Sequence, residues 1–85
     1  MTRNAAISGH NNVHLTGQTI SSCSVACRSA SWGCKSFDWH KNSNACDLSD
    51  KSAADVGGLK TNYPGNPYDH YDCTAQAFHV VSFVQ

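Results

Sequence analysis

The chain is 85 residues long, carries no formal net charge at pH 7, and holds five cysteines against only 14% charged residues. A single domain of that size has too small a core to hold itself with apolar burial alone, so its cysteines read as covalent staples formed in an oxidising compartment. Neutral charge with no basic run excludes electrostatic nucleic-acid binding and a basic membrane-surface helix, and no stretch approaches the roughly 20 apolar residues of a transmembrane span, so no membrane insertion is expected.

The opening residues Met1-Thr2-Arg3-Asn4 lack the apolar core of a signal peptide, so the chain reads as a mature domain or a piece of a longer secreted protein. Residues 5–7 are expected to form a short strand, followed by the turn signal Ser8-Gly9-His10-Asn11-Asn12. Val13-His14-Leu15 alternates and reads as a second short strand that ends before Gly17. Thr19, Ser21 and Ser22 offer helix N-caps, and the helix is expected to run to about Ser31 with Cys23, Ala26, Cys27 and Ala30 on one face, stopped by Gly33. Residues 34–39 alternate with period two, which puts Phe37 and Trp39 on one side of a strand and Asp38 on the other. Lys41-Asn42-Ser43-Asn44 is the turn, and residues 45–49 are the return strand. Residues 50–67 hold Gly57, Gly58, Pro64, Gly65 and Pro67 and read mostly as loop, with a short strand possible at residues 59–61. Residues 68–73 are strand-like, and residues 78–84 have strong β propensity and suggest a last strand.

Cys23 and Cys27 lie four apart, so on a helix they leave one face a turn apart, while Cys34 and Cys46 fall in strand-like runs just beyond it. One helix fastened twice to a hairpin is the scaffold this predicts. A zinc site is the weaker reading, because no C-x-x-C knuckle is present. Spacing alone does not choose among the pairings of four cysteines.

No G-x-S-x-G, H-E-x-x-H or phosphate-cradling glycine loop appears, and no cofactor motif, so neither an enzyme nor a cofactor protein is expected. His10 and His14 are four apart, but Gly9, Asn11, Asn12 and Gly17 argue against a helix, and on a strand that separation is about 13 Å, too far to share an ion. No metal site is expected. Surface or packing roles account for the histidines, His79 included.

In order and spacing, several pieces resemble one family. They are I-S-G at Ile7 to Gly9, L-T-G-Q-T-I at Leu15 to Ile20, the helical C-x3-C of Cys23 and Cys27, C-K-S-F-D-W at Cys34 to Trp39, C-D-L-S at Cys46 to Ser49, and P-Y-D-H-Y-D at Pro67 to Asp72. Together they resemble the PAN/apple domain family over about residues 7–73, with the whole of residues 1–85 read as a single domain. The resemblance implies an α+β, disulfide-stapled fold with one central helix packed on a curved antiparallel sheet of about five strands. It also implies the disulfides Cys23–Cys46 and Cys27–Cys34, which in the chain-entropy model are worth about 3 and about 2.5 kcal/mol. Apple domains of the blood-protease type tie their termini with a third disulfide. Cys73 sits where its C-terminal half would be, but no cysteine precedes residue 23. Cys73 is therefore free, paired to a segment outside this sequence, or the link of a dimer.

The same resemblance implies an extracellular binding module whose ligands are glycans, galactose-type among them, or proteins. A sugar site needs an aromatic ring for the apolar face of the pyranose and short polar groups for its hydroxyls. The segment from Asn62 to Asp72 concentrates both, stiffened by two prolines. Tyr63, Asn66, Tyr68, Asp69 and His70 are the candidate ligand residues, with His40 at the mouth of the neighbouring turn. Tyr71 is expected in the core. The turn bearing Lys35, Asp38, His40 and Lys41 is a second candidate surface, and Trp32 and Trp39 are expected to pack.

Overall fold

The computed structural model describes residues 1–73. It contains β1 (Thr2–Arg3), β2 (Val13–Leu15), α1 (Ile20–Ser29), β3 (Ser36–His40), β4 (Ala45–Ser49) and β5 (Tyr68–Asp72). The strands form one sheet in the order β1-β5-β3-β4-β2, and every neighbouring pair is antiparallel. The expected strand at residues 78–84 lies outside the described residues.

Helix α1 begins where its sequence allows a complete cap. The Thr19 hydroxyl accepts from the Ser22 backbone N–H at 3.0 Å, and the Ser22 hydroxyl accepts from the Thr19 N–H at 2.9 Å. This reciprocal box satisfies two donors that the first turn otherwise leaves unpaired. The helix ends at Ser29, two residues before the expected Ser31, because Ala30 turns extended. Gly33 then adopts φ 85°, the left-handed region open to glycine, and returns the chain toward β3.

Two disulfides fasten α1 to the sheet. Cys23 joins Cys46 near the start of β4, and Cys27 joins Cys34, which precedes β3 rather than lying within it. The Cα separations are 6.3 and 5.1 Å, both within the span a disulfide bridges. Around these sulfurs Phe37, Trp39, Leu48 and Cys73 are buried, with Val13, Leu15, Ala26 and Tyr71 against them. Phe37 and Tyr71 stack nearly parallel, centroids 4.9 Å apart. Trp32, by contrast, follows the helix and is 41% exposed, so it does not pack as expected.

The opposite side of the sheet is also covered. The first strand is Thr2–Arg3, not residues 5–7: Asn4 breaks it with φ 57°, and Ala5, Ala6 and Ile7 then fold over the sheet and are buried. Ala6 makes an isolated bridge to Lys60, which is all that forms of the strand considered at residues 59–61. Ser49 Oγ donates to the His10 carbonyl at 2.6 Å, and Ser36 Oγ donates to the Lys51 carbonyl. The covering segments thus attach by hydrogen bonds where α1 attaches by sulfur.

Candidate functional site

Strand alternation assigns the side chains of this second face. Antiparallel register sets His14 opposite Asp47, Asp47 opposite Asp38, Asp38 opposite His70, and His40 opposite Tyr68. Directly opposed residues share a face, so two carboxylates, three imidazoles and a phenol collect on one side of β2, β4, β3 and β5.

At the open end of that face, each oxygen of Asp47 meets one imidazole. His14 Nδ1 lies 2.5 Å from Oδ1, and His40 Nε2 lies 2.6 Å from Oδ2. The His14 side chain is 53% exposed, that of His40 18% and that of Asp47 12%. From there a row of edge-to-face rings crosses the sheet end. His14 to His40 is 5.4 Å between centroids, His40 to Tyr68 is 4.6 Å, and Tyr68 to Tyr63 is 4.9 Å. Lys60 Nζ sits 4.6 Å over the Tyr63 ring, a cation–π contact. The Tyr68 phenol is pushed above its usual range by burial and then by the Asp47 charge, so it stays protonated and able to donate.

Further in, the same face is sealed. His70 Nδ1 meets Asp38 Oδ1 at 2.7 Å and His70 Nε2 meets Asp72 Oδ1 at 3.0 Å, while Asp38 Oδ2 accepts from the Ile7 N–H at 3.1 Å. Burial pulls the His70 imidazole toward neutrality, but hydrogen bonds to two carboxylates outweigh it and raise its pKa. Burial pushes the Asp38 carboxyl up, against the opposing pull of His70 and the Ile7 N–H. No buried side-chain nitrogen or oxygen among the described residues lacks a partner.

The expected ligand residues therefore divide. Tyr63, Tyr68 and His40 come together in the ring row, and Asn66 is exposed on the adjoining turn, its N–H donating to the Tyr63 carbonyl. Asp69 is committed elsewhere: it accepts from the Asn4 N–H at 3.0 Å and lies 3.3 Å from Lys41 Nζ. His70 is corrected outright, since its side chain is 2% exposed and both ring nitrogens are occupied. Asp38 likewise leaves the second candidate surface. It does point away from Phe37 and Trp39, but the segment through Ile7 buries that side too.

His14 and Asp47 were missed as site residues. Period-two alternation across the hairpin sets Asp47 diagonal to His40, so Asp47 was in reach of the sequence. His14 was not, because its register with β4 spans 33 residues of chain.

Cys73 is unpaired and buried, and burial, offset little by Arg28, pushes its thiol up to about 11. A dimer linked through Cys73 is not served by this geometry, which covers the sulfur and keeps it protonated. On the helix side a separate open groove of about 420 Å³ is lined by Ile20, Ser21, Ser24, Arg28, Phe37 and Tyr71. It shares none of the candidate ligand residues.

The helix on a five-stranded antiparallel sheet, fastened by two disulfides and carrying a polar second face, defines a small disulfide-stapled α+β domain. A family model, PAN domain, matches residues 1–79, and the chain belongs to that family. The match extends beyond residues 7–73 at both ends and so takes in β1. No curated protein and no solved structure matches the chain significantly. PAN domains are generally non-catalytic modules of protein or carbohydrate interaction, and a PAN domain with disulfides is typical of extracellular proteins. No helix among the described residues is long and apolar enough to cross a membrane.

Proposed function

We propose that this PAN domain is a secreted, non-catalytic, lectin-like module that binds carbohydrate, galactose-type glycans among the candidates, through the end of the sheet bearing Tyr63, Tyr68, His40 and Asn66. The observation that carries this reading is the ring row from Tyr63 through Tyr68 to His40, half-open to solvent and backed by the carboxylate of Asp47. A ring supplies the apolar contact for a pyranose face, while a phenol held protonated, an amide and an imidazole supply both donors and acceptors for its hydroxyls. The Asn66 N–H closes the turn onto the Tyr63 carbonyl, and the Lys41 N–H donates to the Pro67 carbonyl and ties the loop to the end of β3, so little order is lost on binding.

The test is a glycan array followed by calorimetry with galactose and galactose-terminated oligosaccharides. Saturable binding that is lost in Tyr68→Ala and Tyr63→Ala, with the melting temperature of Tyr63→Ala little changed, is the expected result. A blank array and no heat with any of these sugars removes the carbohydrate reading. A protein ligand then becomes the favoured reading, and it draws on a different surface, where Ile20, Val25 and Trp32 are 39%, 52% and 41% exposed. Exposed apolar groups on and just after α1 suit a protein partner, or a neighbouring domain in a larger secreted protein to which this one is accessory.

A further inference from the structure

We propose that His14, His40 and Asp47 form a binding site for a borderline first-row transition metal of the zinc(II) type. The donor atoms are His14 Nδ1, His40 Nε2 and a carboxylate oxygen of Asp47, and all lie within 4.8 Å of one another. They come from three adjacent strands, β2, β3 and β4, whose ladder fixes their spacing before any ion arrives. In a tetrahedral zinc site, with metal–donor bonds of about 2.0–2.2 Å, neighbouring donors stand about 3.3–3.6 Å apart. Side-chain adjustment alone brings the three to that spacing, since the two imidazoles already converge on one carboxylate from different strands.

Donor chemistry selects the metal class. Two neutral imidazoles with one carboxylate suit zinc, copper and nickel, whereas calcium and magnesium require oxygen cages that these residues do not build. The His40 ring is braced edge-on by Tyr68 on one side and by His14 on the other, which limits the ways it can swing out of the site. His14, the most exposed of the three, gives the ion its way in. Three protein donors leave one tetrahedral position for water or for a donor atom of a bound ligand. The site rests on side chains brought together across β2 and β4, a pairing unrelated to the His10–His14 spacing on which the expectation of no metal stood.

Zinc binding is measured without sugar, so this inference and the carbohydrate reading fail separately. Calorimetric titration of zinc chloride into the full chain, after dialysis against chelator, is expected to show one saturable site per chain and a rise in melting temperature that grows with zinc concentration. Calcium chloride at the same concentrations is expected to produce neither. His14→Gln changes an exposed side chain at the rim of the sheet, and it is expected to weaken zinc binding at least about tenfold, as is His40→Gln, with the fold of each variant checked by its melting temperature without zinc. His10→Gln, on the preceding loop, is expected to leave the affinity unchanged. Cobalt(II) in place of zinc is expected to give the intense visible bands of a low-coordinate site without a thiolate charge-transfer band. The proposal is overturned if zinc gives no saturable binding up to millimolar concentration, or if His14→Gln and His40→Gln both bind zinc as the unmodified chain does.

Discussion

The two faces of this sheet are built from the same strands and held by opposite chemistry. Toward α1, β3 and β4 present Phe37, Trp39, Cys46 and Leu48, closed by two disulfides. On the other side the intervening residues Ser36, Asp38, Asp47 and Ser49 are nearly as buried, yet every one is polar. The helix face is held by apolar burial, whose driving force is non-directional, and by two covalent staples. The second face is directional: its carboxylates and imidazoles are stable only while each hydrogen bond is made. Specific recognition is therefore expected at the rim of the second face, where His14, His40 and Tyr68 reach solvent.

The sharpest way to break the contrast is to strand one member of the buried pair. Asp38→Ala removes the Nδ1 partner of His70, leaving only Asp72 at Nε2, and the acceptor of the Ile7 N–H, and is expected to cost about 3–5 kcal/mol in chemical unfolding. A loss below about 1 kcal/mol would mean that water replaces the pair and that the second face is not sealed.

Next in size is the helix face. Replacing Cys23 and Cys46 together by serine is expected to cost about 3 kcal/mol, and replacing Cys27 with Cys34 somewhat less, because it closes a loop of 7 residues against 23. Equal losses from the two double variants would show that strain or denatured-state structure, not loop closure, sets the value.

A smaller effect distinguishes the faces by pH. The folded protein raises the pKa of His70, so its contribution is fully present below the unfolded value of about 6.5 and is lost as pH rises through the folded value. Asp72 and Asp38 face the ring within hydrogen-bond distance, with Asp47 across from Asp38, and Asp38, itself raised, acts in the same direction. Melting temperature is expected to fall from mildly acidic to alkaline buffer, and the slope to flatten in His70→Gln. An unchanged slope in that variant would assign the pH dependence to other groups.

The smallest perturbation concerns the thiol. With its pKa pushed up to about 11, roughly one Cys73 in a thousand is ionised at pH 8, so an aromatic disulfide reagent is expected to label the native chain far more slowly than the denatured one. Rapid native labelling would show that the helix face opens readily near residue 73.

Most of the scaffold was legible in order along the chain. The β4 strand at residues 45–49 and the turn before it matched the expected bounds, because period-two alternation and a polar turn are local signals. Thr19 and Ser22 announced the helix start for the same reason. The misread elements all depended on distant partners. Residues 5–7 have the composition of a strand, but they serve as a cover over Asp38, and a one-dimensional pattern does not say what lies on top of a strand. Residues 68–73 read as strand-like, but polar neighbours on both sides of His70 give no sign of which face is covered, and β5 turns it inward.

Residue order alone determined the local elements: where the helix starts, which residues alternate, and that two cysteines lie on the helix and two at or in the hairpin, while the α+β arrangement and the pairing came from the family resemblance. The local elements follow from backbone periodicity and capping, which act over a few residues. Only the tertiary structure decided the state of the polar residues. Whether Asp38 is exposed or sealed, whether Cys73 is reachable, and whether His14 meets Asp47 depend on which strands pair and what covers them. Those contacts join residues 31 to 33 positions apart in the chain, beyond the reach of any local pattern.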